Sequence, residues 1–285
     1  MTTKIGANVA RIDALDKVTG KTLFPADLTR PNMLHMKILF SGRPHARVRS
    51  IDISKAESHP GVVAVFTAVD VPVNEYGLIN ADQPVLVGHG SDRLDADVAR
   101  FVGDQIALIV AETDKAASEA RELISVTWQD LPVVTDPYKA MKPDAPVLFA
   151  DRDSNIIKHN RVRKGEVGIV WNNCDVIVES VYRTPWQEHA YLQPEAGISY
   201  IDSEGRVTVE VAGQWVHEEQ KQIAHALDIP IDKVRVIHPA IGGAFGGRED
   251  VSVQIVLALA AWRLHQRGMN RPIKIVWSRE ESIVG

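Results

Sequence analysis

Pro239-Ala240-Ile241-Gly242-Gly243-Ala244-Phe245-Gly246-Gly247-Arg248-Glu249-Asp250 is the stretch around which the rest of the chain reads. The run Lys233-Val234-Arg235-Val236-Ile237-His238 leads into it like a strand, and an apolar segment of helical character, from Val251 to about Leu264, leaves it. Strand, glycine-rich turn and helix is an order in which backbone N–H groups at a helix start can face an anionic or polar ligand. Glycine allows that approach because it has no Cβ and tolerates φ > 0. Phe245 stands alone among the glycines and must either plug the core or lie against a flat ligand. On structural grounds alone, Glu249 reads as a helix-start carboxylate favoured by the dipole.

The familiar phosphate motifs do not fit. G-x-G-x-x-G fails because Ala244 stands where the second glycine is needed after Gly242. The P-loop pattern aligns on Gly242 and Gly247, but Arg248 replaces Lys and Glu249 replaces Ser/Thr. A carboxylate there would repel phosphate, which disfavours ATP and GTP.

With 285 residues, 45% of them hydrophobic, the chain can bury a substantial core and is long enough for two domains. A net charge of −5 gives no reason to expect nucleic acid or a membrane surface as partner. The single cysteine, Cys174, excludes an internal disulfide and leaves too few thiolates for an Fe–S or zinc–cysteine site held by this chain alone. Met1-Thr2-Thr3-Lys4-Ile5-Gly6-Ala7-Asn8 lacks the apolar region of a secretory signal, and the most apolar run, 251–262, is too short to span a bilayer. The expectation is a soluble cytoplasmic protein.

Outward from the turn, the first dozen or so residues read as a polar arm. Alternation predicts strands at 33–40 and 48–53, a buried strand at 62–66, a loop over 72–94 and the clearest strand at 105–111. Thr113-Asp114 starts a helix whose Ala116, Ala120, Leu123 and Ile124 share a face, and 126–128 returns as a strand. A proline-punctuated connector at 136–146 places a boundary there, giving domains over 1–140 and 141–285. The second half predicts a strand at 174–182, a hairpin around Asp202-Ser203-Glu204-Gly205, a helix at 217–227 and a last strand at 273–277. The chain stops directly after that strand, so the second domain reads as incomplete.

His217-Glu218-Glu219-Gln220-Lys221 fails as the zinc motif H-E-x-x-H because Lys221 replaces the second histidine, and it reads as a solvated helix start. The segment Trp186-Gln187-Glu188-His189-Ala190-Tyr191-Leu192-Gln193-Pro194-Glu195 packs polar and aromatic groups into one short stretch.

Taken together, Gln187-Glu188-His189, Gly213-Gln214-Trp215 and the 242–249 turn resemble the molybdenum-cofactor subunit of the xanthine dehydrogenase and aldehyde oxidase family. Asp16-Lys17-Val18-Thr19-Gly20-Lys21 and the run 102–132 resemble that family's amino-terminal hammerhead domain. The resemblance implies an α+β chain, with an α/β hammerhead domain followed by a mixed α/β molybdopterin-binding domain. It implies cofactor contacts at Gln214, Gly243, Ala244, Phe245, Gly246 and Arg248, the last standing where Lys is usual. Glu249 matches a carboxylate that touches heterocyclic substrates, which tilts the substrate towards a nitrogen heterocycle such as a purine.

The family's activity is oxidative hydroxylation of an electron-poor carbon, in an aldehyde or N-heterocycle, using water and a molybdenum-pterin cofactor. Its members continue for several hundred residues, and the later part supplies most pterin contacts and the catalytic base, a glutamate. No catalytic residue or protein metal ligand is therefore assigned in this chain. The expected partners are a second molybdopterin-binding chain or the missing carboxy-terminal part, an Fe–S subunit, a flavin (FAD) subunit and a small-molecule substrate. The alternative is a non-catalytic assembly or docking subunit that keeps the family fold.

Overall fold

The computed structural model describes residues 5–285, and the first four residues of the expected amino-terminal arm lie outside the described residues. The strands are β1 (Leu34–Phe40), β2 (Ala46–Asp52), β3 (Val62–Phe66), β4 (Val98–Ala99), β5 (Gln105–Ala111), β6 (Ser125–Asp130), β7 (Ala196–Ile201), β8 (Val207–Val211), β9 (Val234–Ile237) and β10 (Ile273–Val276). The helices are α1 (Ala14–Val18), α2 (Ser54–Glu57), α3 (Asp114–Arg121), α4 (Pro137–Ala140), α5 (Val167–Asn172), α6 (Val216–Leu227), α7 (Gln254–Gln266) and α8 (Arg279–Val284).

The chain separates into two units, residues up to Leu131 with His189–Gly285, and Pro132–Glu188. In the first unit a seven-stranded mixed sheet runs in the order β3-β5-β1-β10-β7-β8-β9, and β4-β2-β6 form a second, smaller sheet. Strands from both halves of the sequence share the large sheet. β1 pairs with β5 antiparallel and with β10 parallel, so that Leu34 faces Ile273. β10 continues antiparallel to β7, which makes the expected hairpin with β8. Gly205 at φ +74° and the Asp202 carboxylate, which accepts from the N–H groups of Glu204 and Arg206, fix that hairpin's bend.

α6 carries the chain across to β9, parallel to β8. α7 then crosses the sheet, with every residue from Gln254 to Ala261 buried against β7, β8 and α6. A helix apolar on nearly all sides can exist only in such a place. Its start is later than the apolar run suggests. The Gln254 side chain accepts from the N–H groups of Ser252 and Val253, tying down the backbone just ahead of the helix.

In the second unit, Asp136 caps α4 by accepting from the N–H groups of Tyr138 and Lys139. The strand expected at 174–182 does not form. The segment has no regular structure and no sheet partner among the described residues, and Val176, Val178 and Val181 are exposed. Alternation sets which face of a strand would be apolar, but the strand itself exists only through a neighbour's hydrogen bonds.

Candidate functional site

After Ile237 the chain leaves the sheet edge and folds into an irregular turn over 238–253. Gly243 and Gly246 adopt φ of +106° and +92°, and Phe245 between them adopts +52°. For a bulky side chain that left-handed conformation costs energy and persists only where the surroundings impose it. The N–H of Gly247 donates to the Ala244 carbonyl at 2.9 Å, closing the turn around Phe245 and Gly246.

The turn's inner face is pinned by Arg248, which is buried to 3% exposure. Its Nε donates to the Gly243 carbonyl at 3.0 Å and its Nη2 donates to the Gln193 carbonyl. The guanidinium lies over the Tyr191 ring, 4.3 Å from the centroid, and 3.7 Å from the buried Glu195 carboxylate. Glu195 in turn accepts from Tyr191 Oη and Ser282 Oγ. Gln193 holds the near side, its Oε1 accepting from the Gly242 N–H at 2.7 Å while its backbone N–H donates to the Gly242 carbonyl. A Cβ on Gly242 would come within 2.5 Å of Gln193 Cβ, and one on Gly247 within 2.8 Å of the Tyr191 ring. These glycines are required by close packing.

The outer lip is different. Phe245 is 79% exposed, and Gly246, Glu249 and the Gln214 side chain are exposed as well. Space around Gly246 is open to 4 Å, and the N–H groups of Phe245 and Gly246 have no hydrogen-bond acceptor among the described residues. Two N–H groups without an acceptor beside an unobstructed glycine make a cradle suited to an oxygen-rich, polar or anionic group. Gln214 is brought to this lip by its own backbone N–H, which donates to the Arg248 carbonyl at 3.1 Å.

The structure thus gathers Gln214 and residues 242–249 into one place. It divides them by role, with Gly243, Ala244 and Arg248 within the turn and Phe245, Gly246 and Glu249 outside. Arg248 turns its guanidinium inwards, against the carbonyls of its own neighbourhood. Glu249 does not stand at a helix start, since α7 begins only at Gln254, so the dipole does not account for it. His189 flanks Gly247, whereas Gln187 and Glu188 belong to the other unit.

Sequence reasoning missed Tyr191, Gln193 and Glu195 as anchors. Their signal was present as alternation, because all three are buried while Leu192 between them is exposed. It also missed Glu219. Within the stretch read as a solvated helix start, Glu219 is 1% exposed and shares its helical face with Ile223, Ala226 and Leu227.

Beside Gly247 a cleft of about 230 Å³ is lined by Tyr76, Asp104, Gln105, Tyr191 and Asp250. Burial pushes the Asp104 carboxyl up, opposed by hydrogen bonds from the N–H groups of Arg100 and Phe101. Among the described residues no group of three or more His, Cys, Asp or Glu side chains could hold a metal ion, and no helix is long and apolar enough to cross a membrane.

Residues 148–285 match the molybdopterin cofactor-binding domain, and residues 19–132 match the aldehyde oxidase and xanthine dehydrogenase a/b hammerhead domain. The chain is 36% identical over 279 residues to the nicotinate dehydrogenase large molybdopterin subunit of Eubacterium barkeri, covering 98% of this chain and 62% of that one. It is 36% identical over 274 residues to a probable xanthine dehydrogenase subunit of Bacillus subtilis (strain 168), covering 96% of this chain and 35% of that one. The aldehyde oxidoreductase structure from Desulfovibrio gigas superposes with a TM-score of 0.82 at 26% identity, over 96% of this chain and 30% of that chain. The chain therefore spans only part of the length of each of these relatives.

Proposed function

Because the chain belongs to the molybdenum hydroxylase family of xanthine dehydrogenases and aldehyde oxidases, carrying its hammerhead domain and the amino-terminal part of its molybdopterin-binding domain, we propose that it forms one wall of a molybdenum-pterin site. The observation that carries this reading is the cradle at Phe245 and Gly246. Its free N–H groups, the open space over Gly246 and the adjacent Gln214 fit a group rich in acceptor oxygens.

In this reading the N–H groups of Phe245 and Gly246 and the Gln214 amide orient the cofactor's oxygens, while Gly243 and Ala244 let the backbone come close. Arg248 serves by holding the turn's shape. When bound, the molybdenum centre would supply the two-electron oxidation and activate water towards an electron-poor carbon. Glu249, exposed on the same lip, is the group proposed to meet the substrate. A carboxylate there can accept hydrogen bonds from the ring N–H of a nitrogen heterocycle, which favours that class over simple aldehydes.

The general base, the remaining pterin contacts, Fe–S clusters and FAD are proposed to come from other polypeptide, either further sequence or partner subunits. Relatives named as subunits support that arrangement. The proposed domain division at 140/141 falls in the interval between the two family matches.

The test is to purify the native assembly, measure molybdenum and pterin per complex, identify the co-purifying polypeptides and assay N-heterocycles and aldehydes. The expected result is about one molybdenum per complex and turnover of a heterocycle. A metal-free, inactive assembly would overturn the reading in favour of a docking subunit.

A further inference from the structure

We propose that Glu219, which is buried, and His238, which is partly buried, form a brace that sets the position of Gln214 at the cofactor lip. This deepens the cofactor reading above and rests on it. Glu219 lies near the start of α6, and His238 directly follows β9, where the chain departs for the glycine turn. Glu219 Oε2 lies 2.8 Å from His238 Nε2.

The other oxygen, Glu219 Oε1, is fully buried and has no hydrogen-bond partner among the described residues. A carboxylate oxygen shut away without a donor is costly, and folds retain such groups rarely. Its position supplies a reason, because it presses directly against Gly213. A Cβ built on Gly213 would lie 1.9 Å from Glu219 Oε1 and 2.8 Å from His238 Nε2. Gly213 does not adopt a positive φ, so its backbone would accept alanine. Glu219 and His238 supply the nearest atoms in the space a side chain there would need, so glycine fits where alanine would collide with them.

The next residue is Gln214, whose backbone N–H is already bound to the Arg248 carbonyl at 3.1 Å. The brace therefore meets Gly213 from below while the glycine turn holds Gln214 from the side. It joins α6, the exit of β9 and the lip into one arrangement. Glu219 and His238 are positioning residues that act through Gly213 on Gln214 and do not themselves reach the lip.

The experiment uses the purified native assembly with Glu219→Ala, Glu219→Gln, Gly213→Ala and the double variant Gly213→Ala/Glu219→Ala. Four quantities are read: amide hydrogen exchange at Gln214, melting temperature, molybdenum per complex, and kcat expressed per bound molybdenum.

Glu219→Ala and Gly213→Ala should each speed Gln214 exchange and lower kcat per molybdenum about 10- to 100-fold with KM unchanged. Glu219→Gln, which keeps the shape and the acceptor for His238, should stay close to wild type. The double variant should exchange more slowly than Gly213→Ala alone, since its new methyl group occupies vacated space. The brace is refuted if Gly213→Ala is equally tolerated with and without Glu219. It is also refuted if Glu219→Ala leaves both Gln214 exchange and kcat per molybdenum at wild-type values. Wild-type assembly without molybdenum would sink the cofactor reading, while exchange and melting would still decide the brace.

Discussion

The inner face and the outer lip of the glycine turn come from the same few residues and obey different physics. Inside, Arg248, Gly242 and Gly243 are fixed by Gln193, Tyr191 and Glu195 through close contacts, hydrogen bonds and a buried ion pair. Outside, Phe245, Gly246 and Glu249 are exposed, and Phe245 holds a conformation it would not choose. The difference teaches that the rigidity of this lip is supplied from behind. A strained, open edge can persist because the residues on either side of it are over-determined.

The comparison can be broken most severely at Arg248. Arg248→Ala leaves the Glu195 carboxylate buried beside an empty space and frees two carbonyls. It should cost about 3–5 kcal/mol in a denaturant melt and remove molybdenum with it. A loss below about 1 kcal/mol would mean the inner face does not anchor the turn. Arg248→Lys should fall between, because a single ammonium cannot serve both carbonyls and stack on Tyr191 as the planar guanidinium does.

A smaller effect is expected at Gly242. The added methyl group of Gly242→Ala meets Gln193 Cβ, and overpacking of that kind should cost about 1–3 kcal/mol. At the outer lip the sign should change. Phe245→Gly relieves the left-handed strain and should stabilise the chain by up to about 1 kcal/mol, net of glycine's own entropy. The same substitution should lower turnover, a trade between stability and function that the inner face would not show.

The smallest stability effect is expected at Glu249. Glu249→Ala should leave the melting curve within about 0.5 kcal/mol of wild type and molybdenum content intact, while heterocycle turnover falls. Equal loss of metal and turnover would move Glu249 into the structural group and dissolve the distinction.

A second pair of regions shows how far the sequence could be read. Residues 174–182 and β8 are both rich in strand-forming valine, yet β8 is buried along its whole length between β7 and β9, and 174–182 has no sheet partner among the described residues. Strand propensity is a local property, whereas pairing depends on what another segment brings alongside. The hammerhead strands at 62–66 and 105–111, the hairpin around Asp202–Gly205 and the helix at 217–227 were legible for the same local reason. Each carries its own turn chemistry or periodicity. Tyr191, Gln193 and Glu195 carried a periodic signal too, but nothing in it said that the buried side faces an arginine more than fifty residues along the chain.

The sequence by itself determined the strand-turn-helix order, the glycine turn with Phe245, Arg248 and Glu249 in it, and the resemblance to the family. Those are matters of residue type and local spacing. Only the tertiary structure decided that β1 and β10 would pair and weld both halves into one sheet, that Arg248 would point inwards, and that Glu219 would be buried under Gly213. The physical reason is common to all three. Each outcome depends on a long-range neighbour that supplies a hydrogen-bond partner or takes up space, and the identity of that neighbour is fixed only when the chain has closed on itself.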